Sequence, residues 1–160
     1  MAIRFIRKGQ DEILRKKSRE VTVFDNRLHQ LLDDMADTMH AANGVGLAAV
    51  QVGVLRNVVI IDIDEGVVEL INPVIIEHSE ETINAAEGCL SFPHESGLVA
   101  RPRSVTVRAQ DRWGNPITVL GEELKARALC HEIDHLNGIV FLDIATEILD
   151  DDDDCEDDKD

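Results

Sequence analysis

The sequence lacks a hydrophobic run long enough to cross a membrane. Charged residues make up 30% of its 160 residues, and they interrupt each apolar stretch well before the roughly 18 residues that a membrane-spanning helix requires. The N-terminal residues include basic side chains but no apolar core followed by small residues, unlike a secretory signal or a transit peptide. We therefore expect a cytoplasmic protein that does not contact a membrane.

Cysteine and positive charge are also scarce. Cys89, Cys130 and Cys155 are odd in number and widely spaced, which makes a poor disulfide framework and leaves thiols free for metal or redox chemistry. The net charge is −16, and residues 150–160 contribute −8 of it through nine acidic residues and Lys159. Because phosphate groups are bound by clustered lysine and arginine, we expect no strong direct binding to nucleic acid.

The length and the hydrophobic content of 44% suit one folded domain. The acidic segment 150–160 cannot bury apolar surface, and its charges repel one another. We therefore expect a single domain over residues 1–149, followed by a disordered acidic tail.

Patterns of apolar residues predict two helices and several short strands. Asp25 can cap a helix in which leucine and methionine recur at helical spacing until residues 43–44 end it. A second helix is predicted from about Glu122 to residues 137–138. Strands are predicted at 58–63 and 74–83, with Asn72-Pro73 between them, and a hairpin at 104–110 and 116–120. Helices and strands do not alternate, so the predicted fold class is α+β.

The strongest chemical signal is the HExxH pattern of residues 131–135 on the second predicted helix. Side chains at positions i and i+4 share one helix face, about 5 to 6 Å apart, so His131 and His135 can bind one cation. Glu132 can reach a water on that cation without being a ligand itself. The alternative is a surface helix that happens to carry two histidines, but the pattern favours a metal site.

A catalytic metal site normally takes three protein ligands, so a third ligand is needed. Cys89 is one candidate, because it follows a predicted strand and loops there often present ligands. Cys130 is the competitor, but it points about 100° away from His131 on the helix, and a buried structural thiol suits it better. Taken alone, Cys89 is also compatible with a small buried residue.

Three segments together resemble the signature motifs of the peptide deformylases, in the order of that family. They are residues 44–51 (GVGLAAVQ), 87–91 (EGCLS) and 131–135 (HEIDH), and the match extends to Asp143. The resemblance is to the compact bacterial form. It implies an enzyme of protein biosynthesis that removes the formyl group from the initiator methionine of nascent polypeptides and releases formate. It also implies a fold in which the histidine-bearing helix packs among small antiparallel and mixed sheets.

The resemblance implies that Cys89, His131 and His135 hold one divalent metal, with water in the fourth position. Fe(II) is the ion expected from the family. One thiolate and two imidazoles also suit Zn(II), Ni(II) or Co(II), and the sequence does not rank these ions.

The resemblance also assigns the catalytic groups. Glu132 takes a proton from the attacking water and later delivers it to the departing amine. The side-chain amide of Gln51 and the backbone N–H of Leu90 donate to the oxyanion that forms. The alternative for Gln51 alone is an ordinary polar residue near a helical turn.

Substrate contacts are implied around the first motif and the second helix. Gly44 and Gly46 lack side chains, which lets a substrate backbone approach and pair along an edge, although a bare turn would also explain them. The resemblance places Val45, Leu124 and Ala128 near the pocket for the methionine side chain. Packing in the core is an equally good explanation for these three residues.

Other residues are implied to act around the site or depart from the family pattern. Glu87 and Arg101 resemble an ion pair that braces the cysteine-bearing loop, and such a pair matters only if it is partly buried.

The long basic helix that docks many relatives on the ribosome is absent, since the acidic run 150–160 follows Leu149 instead. Residues 94–97 (HESG) replace a segment that often carries a substrate-binding arginine. The expected partners are therefore N-formylmethionyl peptides on the ribosome. We expect the enzyme to reach them without a basic helix that docks on the ribosome.

Three other functions are compatible with parts of the pattern. A small zinc peptidase shares HExxH, but it usually adds a downstream carboxylate or imidazole, for which only Asp143 and the acidic tail are available. A non-catalytic protein in which the metal only stabilises the fold normally uses four protein ligands. A Cys–His nucleophilic hydrolase would leave the spacing of Glu132 and His135 unexplained.

Overall fold

The computed structural model describes residues 2–149. The helices are α1 (Asn26–Ala41), α2 (Leu124–Leu136) and the short α3 (Phe141–Ile144). The strands are β1 (Gly46–Ala48), β2 (Val58–Ile61), β3 (Val68–His78), β4 (Thr82–Cys89), β5 (Phe92–Pro102), β6 (Ser104–Gln110), β7 (Pro116–Glu122) and β8 (Glu147–Leu149). Short 3-10 helices occupy Glu12–Arg15 and Ala49–Val52. The predicted α+β class is confirmed, and the acidic tail lies outside the described residues.

The strands form two separate sheets. One has five strands in the order β1-β2-β3-β6-β7, and the other has three in the order β4-β5-β8. All strand pairs in both sheets are antiparallel. The predicted hairpin is confirmed as β6 and β7, whose second strand runs two residues further, to Glu122.

Helix α1 forms as its sequence predicts. The Asp25 side chain accepts a hydrogen bond from Leu28 N, so the first turn is capped. The buried face carries leucine and methionine at helical spacing and packs on β1 and β2. Among residues 2–149, no helix is long and apolar enough to cross a membrane.

Helix α2 lies between the two sheets and carries the HExxH residues. Its apolar residues, including Leu129 and Ile133, join a core cluster with strands of the five-stranded sheet. The helix also contacts β5 of the three-stranded sheet. It begins at Leu124 rather than Glu122, because Glu122 still belongs to β7 and Glu123 has a positive φ of 55°. The polar residues of α2 thus face the space beside the β4–β5 hairpin.

The predicted strand at 74–83 is wrong. Strand β3 continues through Asn72-Pro73 and ends at His78, and β4 begins only at Thr82. A bulge between Ile71 and Val74 accommodates the proline, which has no N–H to donate. Asn72 fixes this bulge, since its side chain exchanges hydrogen bonds with both backbone groups of Val21. Both strands of the β4–β5 hairpin were missed by the sequence prediction.

Candidate active site

Three side chains from two elements converge into a group that could hold a metal ion. Cys89 is the last residue of β4, and His131 and His135 lie one turn apart on α2. Their ligand atoms all lie within 4.8 Å of one another, and Cys89 Sγ is 3.3 Å from His135 Nε2. A tetrahedral ion bound to one sulfur and two nitrogens separates those atoms by about 3.4 to 3.6 Å. The donor set therefore fits a metal ion after small side-chain movements.

The strand that presents Cys89 is interrupted where it reaches the site. Gly88 pairs with Ser96 but Cys89 pairs with Phe92, so residues 93–95 bulge out of the hairpin. Cys89 is therefore presented by the end of a strand rather than by the loop expected from sequence. Cys130 instead lies in the hydrophobic core, where burial raises the pKa of its thiol to about 11.

The two imidazoles are in different electrostatic environments. Burial and the nearby charge of His131 lower the pKa of His135 to about 3, which favours the neutral form that metals bind. Burial also opposes a charge on His131, but the nearby Glu132 carboxylate and the hydrogen bonds of His131 with Cys89 and Glu87 raise its pKa well above the usual value. The surroundings of His131 therefore favour positive charge next to the ligand group.

Glu87 orients His131 from behind the ligand group. Its Oε2 lies 2.5 Å from His131 Nδ1, which leaves the other ring nitrogen for a metal. Arg101 binds the same carboxylate through two nitrogens, at 2.6 and 3.1 Å. Burial opposes the charge on Glu87, but hydrogen bonds from His131 and Arg101 lower its pKa to about 2. The predicted Glu87–Arg101 ion pair is present and buried, so it meets the condition for bracing the segment that carries Cys89.

Glu132 is buried beside the ligand group. Burial raises the pKa of Glu132 to about 7, against the opposing charge of His131. Its Oε1 atom has no hydrogen-bond partner among the described residues. A Cβ atom at Gly46 would lie 2.6 Å from Glu132 Oε2, so only glycine leaves room for this carboxylate. A buried acceptor next to a cavity and a metal-ligand group is suited to hold a water and accept its proton.

Gln51 is buried in the 3-10 helix that follows β1, and its amide is held at both ends. Its Oε1 accepts a hydrogen bond from Ala48 N at 2.9 Å, which directs the Nε2 end toward the ligand group. Nε2 donates to Ser91 Oγ at 3.0 Å and lies 3.6 Å from Cys89 Sγ. An amide nitrogen has two hydrogens. With one donated to Ser91 Oγ, the other is directed toward Cys89 Sγ in the ligand group.

A cavity of about 370 Å³ opens in front of these groups. It is bounded by every residue that the sequence places in substrate binding or oxyanion stabilisation, namely Gly44, Val45, Gly46, Gln51, Leu90, Leu124 and Ala128. Core packing does not explain Val45 or Leu124, whose side chains are 44% and 55% exposed. Ala128, in contrast, both lines the cavity and belongs to the core.

The structure explains why positions 44 and 46 are occupied by glycine, which the sequence alone did not reveal. A Cβ atom at Gly44 would lie 2.7 Å from the Leu90 side chain, as one at Gly46 would meet Glu132. The segment therefore packs directly on two residues implied in catalysis. This packing explains both glycines without reference to substrate.

Three polar residues of the site were not singled out from sequence. Ser91 holds Gln51, Asp134 accepts a 2.7 Å hydrogen bond from Arg101, and Arg127 donates to Glu87 at 2.9 Å. Ser91 and Asp134 lie within recognisable motifs, whereas Arg127 has only its position four residues before His131 as a signal. None of these contacts can be read from sequence alone.

The downstream ligand expected of a zinc peptidase is not found among residues 2–149. Asp143 instead forms an ion pair with Arg15 at 2.5 Å and accepts a hydrogen bond from Val140 N. Cys89 is the third member of the ligand group.

Comparison with known proteins decides between these chemistries. The family model described as polypeptide deformylase matches residues 3–150. The chain belongs to this family. The peptide deformylase of Acetivibrio thermocellus is 59% identical over 152 residues, which cover 95% of this chain and 89% of that protein.

Solved deformylase structures also share the fold. The peptide deformylase of Thermotoga maritima superposes with a TM-score of 0.88 at 39% identity, covering 90% of this chain and 98% of that one. A Met-Ala-Ser-bound peptide deformylase from Acinetobacter baumannii has a TM-score of 0.84 at 36% identity, covering 88% and 98% of the two chains. The deformylase resemblance drawn from three short motifs is thus confirmed, with a family match over residues 3–150.

Proposed function

We propose that this deformylase hydrolyses the N-formyl group of nascent polypeptides with Glu132 as its general base. The observation that carries this assignment is the buried Glu132 carboxylate beside the Cys89, His131 and His135 group, with one oxygen that has no hydrogen-bond partner among residues 2–149. Its pKa of about 7 lies in the range where a carboxylate exchanges protons most effectively near neutral pH.

We assign one divalent metal ion to Cys89, His131 and His135. When bound, such an ion acts as a Lewis acid that lowers the pKa of a water and polarises a carbonyl oxygen. Fe(II) is the ion that the family resemblance implies, and the thiolate and imidazole donors are compatible with it as well as with Zn(II), Ni(II) and Co(II).

The proposed reaction needs one proton acceptor that later becomes a donor. Glu132 takes a proton from a water whose oxygen bonds to the formyl carbon. As the carbon–nitrogen bond breaks, Glu132 gives the proton to the amine nitrogen, which leaves formate and a free N-terminus. Burial of the carboxylate keeps bulk water from competing for this proton.

Two donors stabilise the negative charge that develops on the formyl oxygen. We assign the second hydrogen of Gln51 Nε2 and the backbone N–H of Leu90 to this function. Ala48 and Ser91 fix the Gln51 amide before substrate binds, so only the long 3.6 Å contact of Nε2 with Cys89 Sγ has to be exchanged for the oxyanion. Leu90 belongs to the two-residue turn that directly follows Cys89.

The methionine side chain is proposed to enter the cavity beside Val45, Leu124 and Ala128. Val45 and Leu124 expose apolar surface there that a methionine would cover. The cavity also lies next to β1 and β4, which are edge strands of the two sheets. A peptide backbone could therefore pair with either edge. The Met-Ala-Ser complex of the Acinetobacter baumannii relative supports a peptide with N-terminal methionine as the ligand.

We further propose that residues 1–149 form a single catalytic domain, which acts in the cytoplasm on ribosome-associated chains. The family match over residues 3–150 supports this boundary. The net charge of −16 argues against strong direct binding to ribosomal RNA.

The test is the variant Glu132→Gln, measured for metal content and turnover together. Because Glu132 is not a ligand, we expect one metal per chain in both proteins. Turnover should fall by about 10² to 10⁴-fold, which is the usual contribution of a general base. A variant that loses its metal, or that keeps full activity, would contradict the assigned role.

A further inference from the structure

The side chain of Arg127 joins the two structural elements that supply the metal ligands. It lies on α2, one turn before His131, and is 11% exposed. One terminal nitrogen donates to Glu87 Oε1 and to the carbonyl of Val99, each at 2.9 Å. The other donates to the carbonyl of Ile83 at 2.7 Å. Arg127 thus binds β4, which ends at Cys89, and β5 to the helix that carries the histidines.

The charge balance around Glu87 indicates why a second arginine is present. Arg101 is shared between two carboxylates, since it also donates to Asp134 at 2.7 Å. One arginine therefore faces two acids, of which Glu87 is buried and Asp134 is 26% exposed, and an unbalanced charge on a buried group is costly. Arg127 supplies the second positive charge, and the four groups together are neutral.

The contacts on Glu87 divide between its two oxygens. Oε1 accepts from Arg101 and Arg127, and Oε2 accepts from Arg101 and His131. Arg127 adds a second hydrogen bond to Oε1 beside that of Arg101, so rotation of Glu87 away from His131 would break both. The position of the Glu87 carboxylate in turn sets the direction of the His131 ring.

We propose that Arg127 is a positioning residue for the metal centre. It acts through Glu87 to fix His131, and through the carbonyls of Ile83 and Val99 to hold the Cys89 strand against α2. The inference rests on the proposed function, because it requires that Cys89, His131 and His135 bind a metal. Arg127 also lines the cavity in front of the ligand group, so the test uses a measurement that does not depend on substrate.

The test measures Co²⁺ affinity, which does not depend on turnover. Chelator-treated protein is titrated with Co²⁺ alone and followed by visible absorption, for wild type, Arg127→Met and Arg127→Lys. Removing a group that orients a ligand typically lowers metal affinity by about 10- to 100-fold. We expect a loss in this range for Arg127→Met. A smaller loss is expected for Arg127→Lys, because lysine keeps the charge but not the planar fork that reaches three acceptors.

Arg112→Met is the matched control for loss of an arginine. Arg112 also binds two acids, Glu69 at 2.5 Å and Asp33 at 3.0 Å, but neither of these acids belongs to the candidate site. We expect this variant to lose thermal stability and to keep the Co²⁺ affinity and spectrum of the wild type. A general effect of destabilisation would lower the affinity of both variants equally.

Each outcome decides the question. Unchanged Co²⁺ affinity in folded Arg127→Met overturns the positioning role, as does an equal loss in Arg112→Met. If Arg127→Met does not fold, Arg127→Lys decides in the same way, and an unchanged affinity overturns the role. Failure of the wild type to bind Co²⁺ refutes the proposed metal site itself, and the inference with it.

Discussion

Replacing Gly46 with alanine perturbs the proposed general base without touching a metal ligand. The added Cβ atom would lie 2.6 Å from Glu132 Oε2, 3.0 Å from its Cγ and 3.1 Å from its Cδ. These are the three nearest atoms, so the conflict falls on Glu132. Because Gly46 does not have a positive φ, alanine strains the backbone little.

The size of the effect follows from the distance. An ordinary contact requires the Glu132 carboxylate to move by about 0.8 Å. A misplacement of about 1 Å in an active site can cost on the order of 10²-fold in rate, or about 2.7 kcal/mol of transition-state stabilisation. We therefore predict that Gly46→Ala lowers kcat by on the order of 10²-fold, while the metal content is unchanged.

The assay is formate release from a formyl-methionyl peptide, with metal content measured on the same samples. Gly88→Ala is the comparison, because its Cβ atom would meet nothing closer than Glu95 O at 3.7 Å. It adds the same methyl group to the lining of the cavity without meeting Glu132, so kcat should fall less than in Gly46→Ala. Full activity in Gly46→Ala, or loss of metal from it, would refute the steric reasoning.

Four further predictions concern other parts of the molecule. Ser91→Ala removes the acceptor that holds Gln51 and should lower kcat about tenfold, with unchanged metal content. Leu124→Ala removes exposed apolar surface from the cavity and should lower kcat/KM for formyl-methionyl peptides by about 5- to 30-fold. Asn72→Ala deletes three hydrogen bonds and should lower the free energy of unfolding by about 2–3 kcal/mol in denaturant titrations, with kcat preserved. Deletion of residues 150–160 should leave activity on short peptides intact, and a large fall would contradict the assigned domain boundary.

Much of the site was predictable because helical spacing is fixed by local geometry. Residues four apart on a helix share a face, so the HExxH pattern by itself places His131 and His135 side by side. The cap of α1 and the β6–β7 hairpin were predictable for the same reason. Each depends on contacts within a few residues of sequence.

The errors occurred where contacts between distant segments override local preference. The sequence places Asn72-Pro73 between two predicted strands, but hydrogen bonds to Val21 hold it inside a long bulged strand. The turn between β3 and β4 contains neither glycine nor proline, and Ser79 Oγ stabilises it by donating to the Glu81 carbonyl. Strand β4 has low intrinsic strand propensity and forms through its pairing with β5.

The contacts that support the site could be identified only from the structure, for a related reason. Glycine at position 46 is equally compatible with a turn, with substrate approach and with packing on Glu132. Only the distance to Glu132 distinguishes these explanations. The contact of Arg127 with Glu87 likewise joins residues forty positions apart.

Formate release tests the central claim most directly. Protein purified without oxygen and loaded with Fe(II) is given N-formyl-Met-Ala-Ser, beside the N-acetyl peptide as control. We predict rapid release of formate from the formyl peptide and no hydrolysis of the acetyl peptide. Absence of formate release from folded, metal-loaded protein would contradict the account.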